Sequence, residues 1–155
     1  MSLAVMENLL AEFGAAIGIP DLRPDEEHRC NLMIDDVAVS FELGVGDESL
    51  YIYSLLGPVP EGDEGAAYAA LLHANYTFEG TRGSTLSVDP QTGGVVLIRE
   101  ERLESLRLPG FESIVEEFVD VAERWMKRID SGDFKPTTAE SQAESMSAKE
   151  GMMRV

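Results

Sequence analysis

The stretch Leu71 to Ile98, LLHANYTFEGTRGSTLSVDPQTGGVVLI, leaves the chain little choice of local structure. The Ala/Leu-rich run from Ala66 to about Asn75 predicts a short helix, with Tyr68, Leu71, Leu72 and Tyr76 available for an apolar face that is wide for its length. Gly80-Thr81-Arg82-Gly83 breaks that helix. Two strand-like runs, Thr85 to Val88 and Val95 to Arg99, then flank Asp89-Pro90-Gln91-Thr92-Gly93-Gly94. Proline presets φ for a turn and the two glycines accept positive φ, so the pair is expected as an antiparallel hairpin.

The flanking regions add to this unit. Leu3, Met6, Leu9, Leu10, Phe13 and Ile17 recur at three- and four-residue steps, predicting a first helix that Gly18 and Pro20 stop. A polar connector from Pro24 to His28 leads to Cys30 through Ile34, the pair Asp35-Asp36, and then Val37, Val39, Phe41 and Leu43 at period two. That pattern is a tight hairpin with one apolar face. After Gly44 to Glu48, the run Leu50 to Leu56 is apolar on both alternating faces, as expected of a central strand covered on two sides. Pro58, Pro60, Gly62 and Gly65 make a loop before the second helix. Phe111, Ile114, Val115, Phe118, Val121, Ala122, Trp125, Met126 and Ile129 mark a long amphipathic helix. Glu112, Glu116 and Glu117 fall in its first turns and Lys127 and Arg128 in its last, matching the helix dipole, with Asp120/Arg124 and Glu123/Lys127 at i,i+4.

The order is α-β-β-β-α-β-β-α, an α+β domain whose twisted, mainly antiparallel sheet is packed by the first and third helices. The domain is expected to occupy residues 1–130. Residues 131–155 are mostly Ser, Thr, Ala, Glu, Gln and Met without a sustained period, and are expected to be a disordered tail.

With 155 residues the chain is long enough to bury roughly 68–70% of its unfolded surface as one domain. Twenty-nine acidic against twelve basic side chains give a net charge of -17, which repels nucleic acid and anionic membranes and attracts basic partners. The excess is not a detachable tail, because residues 30–110 carry thirteen acids and four bases. The single cysteine, Cys30, can form no intramolecular disulfide, and no basic-then-apolar leader opens the sequence, so a cytoplasmic location is expected. No uncharged run approaches the roughly 20 apolar residues of a membrane span, and no membrane insertion is expected.

The chemistry-bearing residues form no catalytic set. His28-x-Cys30 offers two ligands where structural zinc takes four, and His73 lies far along the chain. Nucleophilic catalysis by Cys30 would require an activating base and an oriented third group, and what the sequence offers is His28, two residues away and on the same face of an extended segment. Asp35-Asp36, Asp47-Glu48 and the cluster Glu61 to Glu64 sit at turns without calcium-loop spacing, and Gly44-x-Gly46 is too short for a phosphate loop. No metal, cofactor or enzymatic activity is expected. What is unusual is the apolar supply: after a one-sided core is built, part of the second helix and the third strand should face outward.

The Leu71 to Ile98 layout, with its Asn, Gly-Thr-x-Gly and Asp-Pro-x-Thr-Gly, resembles the class I type III secretion chaperones, the Tir-chaperone family. Phe118-Val119-x-x-Ala122-Glu123-x-Trp125 resembles that family's last helix, and the first helix its first. The likeness covers about residues 1–130. It implies a cytoplasmic homodimer that keeps one secreted effector soluble and export-competent, with Tyr68, Leu71, Leu72, Asn75 and Tyr76 at or near a two-fold interface. It further implies that the effector's N-terminal segment wraps the dimer as an extended chain, adding a strand at a sheet edge and seating apolar side chains in grooves. Phe13, Ile17, Val39, Phe41, Leu86, Val88 and Val96 are the candidates for lining those grooves. The alternative is an acidic adaptor or regulator of the same fold unconnected with secretion.

Overall fold

The computed structural model describes residues 2–135, and among these the chain forms five strands and three α-helices. They follow in the order α1 (Ser2–Ile17), β1 (Arg29–Ile34), β2 (Val37–Leu43), β3 (Ser49–Pro58), α2 (Glu64–Asn75), β4 (Thr85–Val88), β5 (Gly94–Arg102) and α3 (Leu108–Ser131). The strands make one sheet in the order β1-β2-β3-β5-β4, antiparallel at every pairing, so β1 and β4 are its two edges.

Register decides which side chains are enclosed. Val39 faces Leu32 across β1/β2, Phe41 faces Ile52, and Leu86 faces Leu97, which puts one period-two set of each strand on the same side of the sheet. That side is covered by α1, α3 and α2, and Phe41, Ile52, Leu97, Phe111 and Phe118 are fully enclosed there. Phe13 of α1 packs edge-on to Phe111 of α3 at 5.1 Å between ring centres, and Phe111 lies 5.6 Å from Phe41 of β2, tying both helices to the sheet. Aromatic contacts of this geometry contribute about 0.5–1.5 kcal/mol each beyond the area they bury.

The opposite side of the sheet is open among the described residues. Tyr51, Tyr53, Val96 and Ile98 are half-buried and Leu55 is 55% exposed, so β3 is central in the sheet but is not covered on two sides by the described residues. A run apolar on both faces cannot tell a second layer of the same chain from a surface left for something else. The sequence expectation of two-sided cover is corrected accordingly.

The caps are read from backbone geometry. Gly18, at φ +81°, ends α1, and the Ile19 amide donates to the Gly14 carbonyl at 2.7 Å. Gly14 is buried on α1, and a Cβ placed there would stand 2.5 Å from the Ile19 carbonyl oxygen and 2.7 Å from Leu22 Cβ. The connector therefore doubles back so closely that only glycine fits, which explains a residue that otherwise weakens a helix by about 0.5–1 kcal/mol. α3 starts at Leu108, earlier than its apolar period suggests, so Glu112, Glu116 and Glu117 lie past the first turn, where the dipole acts most weakly. Gly132, left-handed at φ +67°, caps its end. Asp133 to Lys135 then lie back against that end, where Arg128 donates to the carbonyls of Asp133 and Lys135 and Phe134 packs on the core. The expected disorder concerns residues 131–155; of these, 131–135 are placed as above and 136–155 lie outside the described residues.

Candidate protein-binding surfaces

The second helix divides its residues between two tasks. Ala67, Ala70, Leu71 and Ala74 are buried, and Leu71, 3% exposed, belongs to the subunit's own core rather than to a free face. Tyr68, Leu72 and Tyr76 are exposed at 41%, 69% and 64%. Asn75 is occupied within the subunit: its amide donates to the Leu86 carbonyl and its oxygen accepts from the Leu86 amide. Beyond it, Thr77 and Phe78 both adopt φ of +60°, a left-handed conformation that costs non-glycine residues of order 1–3 kcal/mol each. Phe78 is exposed at the end of this strained turn, a residue whose outward position no periodicity signals.

The expected groove residues do not come together. Val39, Phe41 and Leu86 are enclosed in the core beneath the helices, at 1%, 0% and 4% exposure, which removes them as groove lining. Val88 packs at the margin of that core, and Val96 lies on the open face beside Ser87 of β4 and Leu55 of β3. Alternation identifies two faces of a strand but not which one the helices take.

Phe13 and Ile17 do share a groove. It has a volume of about 480 Å³ and lies between the end of α1, the end of β1 and the first half of α3. Phe13 forms part of its floor with Val115 and Val119, while Ile17, Ile19 and Met33, 40%, 37% and 60% exposed, form its apolar walls. Asp35, Glu112, Glu116 and Asp120 border it, Asp120 paired with Arg82 at 4.0 Å, and no basic residue lines it among the described residues. A second groove of about 370 Å³ lies farther along α3, with Leu56 and Met126 as its apolar part and Asp36, Glu123, Lys127 and Asp130 around them. Ile19, Met33, Val115 and Val119 escaped the sequence reading because only the return of the connector and the hairpin onto α3 brings them together.

The edges differ as well. At β4, the outward amide and carbonyl of Leu86 are both taken by Asn75. At β1, the Asp25 amide donates to the Arg29 carbonyl at 2.6 Å and the Arg29 amide to the Asp25 carboxylate at 2.9 Å, while Asn31 to Ile34 have no further strand beside them among the described residues. Cys30, within that strand, is buried, and burial together with the nearby Asp25 carboxylate pushes its thiol pKa up. Such a thiol is a poor nucleophile. His28, left-handed and exposed, belongs to the connector turn. Among the described residues no three His, Cys, Asp or Glu side chains converge to hold a metal ion, and no helix is long and apolar enough to cross a membrane.

The sequence profile described as the Tir chaperone protein (CesT) family matches residues 8–126. Among solved structures, the chain is similar to one in the crystal structure of the ExsC-ExsE complex, with 28% identity and a TM-score of 0.67 over 82% of this chain and 95% of the other. It is similar to one in the HopA1-SchA chaperone-effector complex, with 22% identity and a TM-score of 0.65 over 83% and 95%. It also resembles one in the ExoT-SpcS complex from Pseudomonas aeruginosa, with 18% identity and a TM-score of 0.60 over 77% and 96%. The last two carry the fold alone at those identities. No curated protein matches the chain.

Proposed function

This chain belongs to the Tir chaperone protein (CesT) family, and on that premise we propose that it is a cytoplasmic type III secretion chaperone that binds the N-terminal segment of one secreted effector and keeps it soluble and export-competent. The family is one of chaperones and not of enzymes. The observation that carries the reading is the apolar groove of Phe13, Ile17, Ile19 and Met33, which runs into the unpaired end of β1. An extended segment pairing with β1 would gain main-chain hydrogen bonds and deliver side chains into the groove. β4 is the poorer acceptor, because Asn75 already satisfies its outward peptide groups at Leu86.

The acting species is a homodimer joined through α2. Tyr68, Leu72 and Tyr76 present apolar area with no cover among the described residues, and the strained turn at Thr77 and Phe78 extends it. Leu71 and Asn75 support that face from behind, Leu71 by packing and Asn75 by fixing α2 to β4. The domain comprises residues 1–130, and the short cap of residues 131–135 follows it.

The test is affinity capture from the native bacterial cytoplasm followed by mass spectrometry. One dominant exported protein, whose N-terminal segment alone co-purifies, is the expected result. Many unrelated partners would instead favour the adaptor reading.

A further inference from the structure

We propose that the flank of α3 is a two-groove acidic track that selects a basic, extended stretch of the partner, with one apolar side chain seated in each groove and its Lys or Arg residues facing the β1-β2 turn between them. This rests on the chaperone reading above and specifies the chemistry of the segment bound.

The geometry starts from helical periodicity. Glu112, Glu116, Glu123 and Asp130 are separated by four, seven and seven residues, so they fall within one narrow stripe of α3. Val119 and Met126 lie on the same stripe, toward the sheet, and supply apolar surface to the first and second groove respectively. The turn Asp35-Asp36 meets this stripe at its middle, with Asp35 bordering one groove and Asp36 the other. Seven carboxylates thus line the two grooves, one of them, Asp120, paired with Arg82 at 4.0 Å, while Lys127 is the only basic residue in the lining among the described residues. Clustered like charge on low-dielectric walls raises the local concentration of an oppositely charged ligand.

The two groove centres are about ten helical residues apart, or about 15 Å at 1.5 Å per residue. A helical ligand would need nearly three turns to bridge them, whereas an extended one covers the distance in about five residues at roughly 3.3 Å each. An extended segment can also adjoin one paired with β1, whose last residues, Met33 and Ile34, line the first groove. A poly-apolar segment would leave most of these carboxylates uncompensated and an acidic one would be repelled. The structure therefore favours apolar anchors with basic residues between them.

The experiment uses the full chain and a fluorescein-labelled twelve-residue synthetic peptide of Leu, Lys and Ser, with control peptides carrying Glu for Lys or Ser for Leu. The Leu/Lys peptide should bind, the Glu peptide should not, and the Ser/Lys peptide should bind at least about tenfold more weakly. Glu123→Lys with Asp130→Lys, both remote from α2, should weaken the Leu/Lys peptide by at least about fivefold, and Met126→Gln should weaken it while leaving its salt dependence intact. Equal binding of the Ser/Lys peptide, or no loss in the double reversal, overturns the track. The captured exported protein supplies the second readout: if it binds the chain and the double-reversed variant equally, the track fails while the chaperone reading stands. If no exported protein is captured although the peptide results hold, the chaperone reading fails and the track is the binding surface of another basic partner.

Discussion

The carboxamide of Asn75 faces the peptide groups of Leu86 as a neighbouring strand would, accepting from its amide at 2.8 Å and donating to its carbonyl at 2.9 Å. One side chain thus fixes the end of α2 to β4 and closes the sheet edge at that residue. Asn75→Ala leaves a partly buried donor and acceptor without partners and should cost about 1–3 kcal/mol in urea unfolding. Asn75→Asp keeps the acceptor and loses the donor, so it should fall between the two. Equal stability of Asn75→Ala and the parent chain would contradict the arrangement.

The two faces of α2 should separate by mutation. Leu72→Glu and Tyr76→Glu alter exposed positions and are expected to give a monomer in light scattering with unchanged far-ultraviolet circular dichroism. Leu71→Ala removes core volume and should lower stability by about 2–5 kcal/mol whatever the state of association.

Asp89 organises the β4-β5 turn: its carboxylate accepts from the Gln91 amide at 2.9 Å and the Thr92 hydroxyl at 2.9 Å, and these bonds hold its pKa below the usual aspartate value. A depressed folded value means the contribution is present above the unfolded pKa of about 3.9 and is lost as pH falls through the folded one. The protection of the Gly93 and Gly94 amides, measured as exchange relative to the intrinsic rate at the same pH, should therefore fall on acidification, and Asp89→Asn should show lower protection at neutral pH with a flatter acid response.

Cys30 should resist a thiol reagent such as dithionitrobenzoate at pH 8, reacting at least about tenfold more slowly than the same chain in urea. The raised thiol pKa also sets a sign. Above about pH 8.5 the unfolded thiol ionises while the folded one stays protonated, so the native state loses stability as pH rises further. Cys30→Ala should remove that alkaline component.

Elements whose burial repeats along the sequence were legible before any coordinates. The α1 stop at Gly18, the β1-β2 hairpin around Asp35-Asp36 and β4 from Thr85 to Val88 fall where period and turn chemistry put them. The grooves were less legible, because they are made by contacts distant in sequence. Val39, Phe41 and Leu86 carry the same alternation whether they face helices or a ligand, and the register assigns them to the helices. Leu71 and Leu72 are neighbours of identical chemistry on one short helix, yet one is core and the other surface, a difference fixed by how α2 meets β4. Ile19 becomes a wall residue only through the return of the connector onto α1, and Met33 only through the return of the β1-β2 hairpin onto α3.

That crossing at Gly14 has a thermodynamic side. Because the chain there admits no side chain, the segment bearing Ile17 and Ile19 is already locked to α1 before any guest arrives. The host surrenders little conformational freedom at this mouth upon association, so nearly the whole entropic cost of ordering falls on the incoming polypeptide.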